Sequence, residues 1–289
     1  MDADLDLLLI AVFCIADDLL PERTANAKRI LTDAEVVTLA VAQHLLRVNS
    51  DEQFWAQVPK RLGHLFPRLI ERPGFVKRRQ RLTDTIEALI AEFAQHTTGG
   101  SDDLLVVDST PVECGRSVET TRRSALADAA DYGWCASHSR YFWGFRLHGL
   151  FALDGTPRAL SLTSPKVGER DVCLNMLARL EHQREMTVIG DKGYAGRDFQ
   201  AAAAALGATV VRPRRKDERG RGPHLAPLRQ RVESIFWTAK DMLGLEDHGA
   251  RQLHTLRCRL AAKFLALTAA IALNYVLGRP SRNLTAYYA

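Results

Sequence analysis

Two stretches of this chain, LLVVD (104–108) and TVIGD (187–191), run apolar and then end in a carboxylate. A strand fixes the backbone beneath its last residue, and open α/β sheets bind ligands in the crevice beyond their carboxyl ends. Asp108 and Asp191 would be held stiffly at such an edge. Two carboxylates on adjacent strands repel unless a cation lies between them. Hard oxygen donors suit Mg²⁺, which is held by a few carboxylates together with substrate phosphates.

A third acid lies in LRQRVESIFWTAKDM, where Glu233 has Arg229 one turn before it and Lys240 two turns after. At helical spacing the three share one face, with Phe236 and Trp237 beside them. The separations, 83 residues from Asp108 to Asp191 and 42 from Asp191 to Glu233, leave room for intervening elements without a large inserted domain. Taken singly, an aspartate at a strand end also serves as a turn residue, and Arg229–Glu233 as a solvated i,i+4 pair. The combination points to one shared ion site.

The elements that must position these acids fall into two groups. Residues 1–98 contain no convincing strand. LTDAEVVTLAVAQHLL opens on a capping box, Thr32 with Glu35. EQFWAQVPKRLGHLF and FVKRRQRLTDTIEALIAEFAQ continue the helical pattern. After the polar break TTGGSDD (97–103) the pattern changes. Strands are expected at 104–108, 143–153 and 157–163, the last two joined by the hairpin turn Asp154-Gly155. Helix 171–183, strand 187–191, helix 197–207, strand 208–213 and a helical segment from Ala226 to the end follow. This order implies a mixed sheet with helices packed on it, as in the ribonuclease H-like fold. The expected division is an N-terminal all-helical domain, 1–98, and an α/β domain with C-terminal helices, 99–289.

Composition narrows the function classes. The net charge of +5 and pI near 9.0 suit a polyanionic partner. Five scattered cysteines without a Cys-x-x-Cys pair argue against a disulfide framework. Cys135, His138 and His148 lack the second cysteine pair of a zinc site. The run LLLIAVFCIA follows Asp2, Asp4 and Asp6, whereas a secretory signal needs a cationic start. The unbroken apolar core of 260–278 is too short to cross a bilayer, which takes about 20 residues. Both read as buried helices, so no membrane partner is expected.

Three motifs together carry a resemblance. VVDST and VIGDKGYAG resemble the two aspartate motifs of the DDE-type transposases of bacterial insertion sequences. RQRVESIFWTAK resembles their glutamate helix, in which Arg, three residues, Glu, six residues and Lys correspond to Arg229, Glu233 and Lys240. The family often has Tyr three residues before this Arg, where this chain has Ala226. The resemblance spans about residues 100–277. It implies Asp108, Asp191 and Glu233 as catalytic ligands of two Mg²⁺ ions about 3.5–4 Å apart, with Mn²⁺ able to substitute, for phosphoryl transfer on DNA. It also implies double-stranded DNA as partner (terminal inverted repeats and target), a homodimer on DNA, and a cytoplasmic, nucleoid-associated location. The alternatives are a nuclease of the same fold without strand transfer and a non-catalytic, domesticated DNA-binding protein. A tyrosine or serine recombinase would need an Arg/His cluster that is not visible.

Further residues suit a phosphate backbone. Lys192 and Tyr194 follow Asp191 in a glycine loop that permits close approach, although Tyr194 could equally pack beneath it. RPRRKDERGRGPHLAPLRQR (212–231) has eight Lys/Arg, among them Arg212, Arg214, Arg215, Lys216 and Arg229, against Asp217 and Glu218. Its position next to the acids suggests a phosphate clamp with steep salt dependence. Lys77, Arg78, Arg79 and Arg81 form a second basic cluster in the helical domain, and Arg146 and His148 share a strand face.

Overall fold

The computed structural model describes residues 3–20, 30–135, 139–180, 185–214 and 225–288, without the side chain of Arg229. Five helices come first: α1 (Ala3–Leu19), α2 (Asp33–Leu45), α3 (Asp51–Arg61), α4 (Arg72–Arg81) and α5 (Thr83–Gln95). The capping box forms, with the Glu35 amide donating to Thr32 Oγ1 at 3.0 Å and the Thr32 amide donating to the Glu35 carboxylate. The expected single helix through 75–95 breaks at Leu82, where the next residue, Thr83, turns its hydroxyl back to the carbonyl of Gln80.

The strands are β1 (Leu104–Gly115), β2 (Asp131–Cys135), β3 (Arg140–Ala152), β4 (Pro157–Thr163), β5 (Met186–Ile189) and β6 (Ala208–Val211). Helices α6 (Val118–Arg123), α7 (Glu169–Leu177), α8 (Arg197–Ala205) and α9 (Ala226–Trp237) intervene or follow. The sheet order is β2-β3-β1-β5-β6, with β4 also on β3. β1 is antiparallel to β3 and parallel to β5, and β5 is parallel to β6. Parallel pairing requires a long crossover, and α8 supplies the one between β5 and β6. The result is a mixed sheet flanked by helices, the ribonuclease H-like arrangement.

One sheet face packs Leu105, Val107, Leu150 and Val188 against Val172 and Met176 of α7 and Phe199 and Ala203 of α8. Each of these larger side chains stabilises the fold by roughly 1.5–3 kcal/mol through burial. The other face takes α9.

Beyond α9 come a π-helical turn (Thr238–Met242) and α10 (Leu253–Val276). Two compact units result: residues 1–96 with 238–289, and residues 97–237. The C-terminal helix, expected with the sheet, instead packs with α1, α2, α4 and α5. Its residues from Cys258 to Ala272 are all buried. A helix apolar on every side needs helices all round it, and the N-terminal segment provides them. Among the described residues no helix is long and apolar enough to cross a membrane.

Candidate active site at the strand ends

The ladder between β1 and β5 pairs Leu104 with Thr187, Leu105 with Val188 and Val106 with Ile189. Two residues beyond the last of these pairs come Asp108, still within β1, and Asp191, just past the end of β5. Val107 belongs to the core beneath α7 and α8, so Asp108, its neighbour in β1, turns to the opposite side. That is the side on which α9 lies.

α9 is fixed there by identifiable contacts. Phe236 meets Phe151 edge-on, with centroids 5.4 Å apart and an interplanar angle of 88°. Arg231 donates to the Leu153 carbonyl at 3.3 Å. Phe151 shares its face with Gly149, the partner of Asp108. A Cβ on Gly149 would fall 2.2 Å from the Phe151 ring, so glycine lets that ring lie across the strand beside the acid. Glu233 stands one turn before Phe236. It follows buried Val232 by about 100° of helical rotation, and is exposed.

Local hydrogen bonds orient the aspartates. Ser109 N–H donates to Asp108 Oδ1 at 2.8 Å, and Gly193 N–H to Asp191 Oδ1 at 2.7 Å. The glycines after β5 have separate reasons. A Cβ on Gly190 would meet the Tyr194 ring at 2.7 Å, and Gly196 takes φ +134° at the start of α8.

Tyr194 is 1% exposed and part of the core, so it packs under the loop rather than reaching DNA. Its hydroxyl has no hydrogen-bond partner among the described residues. Burial raises its pKa well above 10, and the charge of Glu169 leads the smaller contributions in the same direction.

Lys192 is exposed in the turn after Asp191. Arg212 and Arg214 leave β6 at the same edge, since Val211 pairs with Ile189. Lys240 lies past the point where α-helical phase ends, in the π turn, and binds Glu246 at 2.9 Å. Its expected alignment with Glu233 depended on an unbroken α-helix. Arg215, Lys216 and the Arg229 side chain fall outside the described residues, as does His138.

Glu169 went unnoticed in the sequence. It opens α7 and accepts from Ser109 Oγ at 2.9 Å and from Arg146 at 2.6 Å. Arg146 and His148 do share a face, as expected, but it is the Ser109 face, opposite Asp108. His148 is buried against Thr163 at 3.1 Å, and burial followed by the charge of Arg146 pushes its pKa down to about 4. A glycine cap before an acidic first turn, VGERD, was the available signal for Glu169.

Carboxylate oxygens on stiff strand ends are suitable donors for a hard divalent cation. Among the described residues, however, no three His, Cys, Asp or Glu side chains are grouped closely enough to hold a metal ion.

Sheet order, strand-end acids and the covering helix define a ribonuclease H-like α/β protein. The transposase DDE domain family matches residues 99–269, more than half of the chain, and the chain belongs to that family. The match continues into α10, so the family's extent in sequence exceeds the compact sheet unit. No curated protein matches the chain.

Proposed function

We propose that the chain cuts DNA at the ends of a mobile element and joins them to a target, with Asp108, Asp191 and Glu233 holding two divalent ions, Mg²⁺ in the first instance. The observation that supports this reading is that Asp108 lies on β1 and Asp191 just past β5, the strand paired parallel beside it. The bound ions would lower the pKa of an attacking water or 3′-hydroxyl and neutralise charge developing on phosphoryl oxygens. The chain's own groups position. Ser109 and Gly193 amides aim the two aspartates, and the Phe151–Phe236 contact fixes the helix bearing Glu233. Lys192, Arg212 and Arg214 would neutralise backbone phosphates at the strand ends, joined by Arg215, Lys216 and Arg229. Lys240 would reach DNA only after releasing Glu246. The helical unit would recognise the element's ends through exposed Lys77 and Arg81, and pairing two ends calls for a homodimer on DNA.

Terminal-repeat DNA incubated with the protein and Mg²⁺ should give cleaved and joined products. Asp191→Asn should lose both by at least a thousandfold, while binding the DNA as before. Cleavage without joining would favour a nuclease. Equal activity in Asp191→Asn would remove the metal role. Exposed Glu233 and the ungrouped acids favour a second reading, a DNA-binding protein without catalysis. Tight end binding with no product in Mg²⁺ or Mn²⁺ would select it.

A further inference from the structure

β1 and β3 outrun the rest of the sheet. β5 pairs with β1 only as far as Val106, whereas β1 continues to Gly115. In this extension β2 adds to β3, pairing Tyr132 with Trp143 and Trp134 with Tyr141. Gly133, Cys135 and Phe142 alternate with these rings and are buried. Outward lie Tyr141, 71% exposed, Trp134, 47% exposed, and Tyr132. Trp134 and Tyr141 meet edge-on with centroids 4.9 Å apart. Counting by twos along β3 from Tyr141 and Trp143 leads to Gly149, the residue opposite Asp108. The rings therefore stand on the sheet face that carries Asp108. Six residues separate Trp143 from Gly149, about 20 Å of strand.

An open groove of about 440 Å³ lies among Arg116, Tyr132, Tyr141 and Trp143. Arg116 and Arg140 flank it, and both pair with Glu113, at 3.6 and 3.0 Å, which leaves the trio one positive charge. Exposed rings bordered by guanidinium groups suit a partner with flat apolar faces and regularly spaced anions. Unpaired nucleotides have both, whereas a duplex hides its base faces.

We infer that the β2–β3 ribbon is a stacking platform for unpaired nucleotides of the DNA whose backbone reaches Asp108 and Asp191. This rests on the DNA-processing reading above and extends it to a distinct surface. Tyr141 and Trp134 offer the ring faces, and Arg116 and Arg140 offer charge to the adjoining phosphates.

The test is fluorescence anisotropy of labelled dT₁₂ and of a duplex of equal length, with the full-length protein in EDTA so that no cleavage intervenes. The parent binds dT₁₂, and Trp134→Leu/Tyr141→Leu weakens this about tenfold or more. Tyr141→Phe retains it, and duplex affinity stays within about twofold in all variants. Should the double variant melt early, Tyr141→Leu alone provides the readout at the most exposed ring. Equal dT₁₂ binding in parent and Leu variants overturns the inference while leaving the DNA reading intact. So does a Leu-induced shift from dimer to monomer in sedimentation velocity without loss of dT₁₂ affinity, because the rings would then cover a second copy. Failure of the parent to bind either DNA overturns the DNA reading itself.

Discussion

In the helical unit, Asp51 lies between two guanidinium groups, bonded to Arg79 at 3.0 Å and Arg259 at 2.9 Å. Gln43 donates to the same carboxylate, and Arg259 reaches the carbonyls of Asn49 and His248. Burial alone would raise the Asp51 pKa, but Arg79 and Arg259 outweigh it and hold it below the usual value. In the sheet unit, Asp108 lies within β1 and Asp191 just past the end of β5, and the backbone amides of Ser109 and Gly193 orient their carboxylates. One unit places cations around its acid and uses all of them for folding. The other carries its acids on one strand and just past its neighbour, oriented by backbone amides rather than enclosed by guanidinium groups.

The contrast is tested most severely by removing an acid from each unit. Asp51→Ala would leave Arg79, 1% exposed, and Arg259 without their carboxylate. It should cost about 3–5 kcal/mol in denaturant unfolding. Asp191→Asn should cost nothing measurable, or raise the melting temperature by relieving repulsion. Equal losses in the two variants would erase the distinction.

The next largest effect concerns pH. Lys263 is buried in the helical unit, donates to the Leu243 carbonyl and lies 3.4 Å from His44 Nδ1. Burial, then the charge of Arg259, pushes its pKa down to about 7 from 10.5. Between those values the unfolded chain carries a proton that the folded chain lacks. Stability should therefore rise with pH above about 7, by up to about 1.4 kcal/mol per unit. Below about 7 both states are protonated and this contribution levels off. His44 is held well below 6.5 by burial, then by Lys263, Arg79 and Arg259. Its contribution is lost as pH falls beneath 6.5. Lys263→Met should flatten the unfolding free energy between pH 7 and 9; an unaltered slope would assign it elsewhere.

A smaller effect distinguishes packing from polarity at Tyr194. Tyr194→Phe removes a hydroxyl that has no partner among the described residues. It should change stability by less than about 1 kcal/mol. The smallest effect is expected at Arg257, whose exposed side chain pairs with Glu87 and with Asp84 at 2.7 Å. Arg257→Ala should cost under about 1 kcal/mol despite two carboxylate partners.

Asp191 was legible because a strand announces itself locally by an apolar run, an acid and a turn, whereas the strand expected to end at Asp108 runs on to Gly115. The Asp154-Gly155 hairpin and the Thr32 capping box were legible for the same reason. Partners distant along the chain were not. The apolar pattern of α10 said that it is buried, but could not say against which helices. Arg79 looked like one of four surface cations, yet it is one turn past buried Phe75 on the packed stripe of α4, with its guanidinium 5.2 Å from that ring. Arg78 likewise turns inward to Asp33. The π turn at 238–242 shifts Lys240 out of phase, and helical counting has no means of seeing it. Glu169 required three-dimensional proximity to Ser109 and Arg146.

The central question is whether Asp108 and Asp191 share a cation. Mn²⁺ binding followed by electron paramagnetic resonance answers it without DNA or turnover. The parent should bind Mn²⁺, and Asp108→Asn and Asp191→Asn should each weaken it at least tenfold, about 1.4 kcal/mol, while remaining folded. Affinity unchanged in both variants would contradict a metal site at these strand ends.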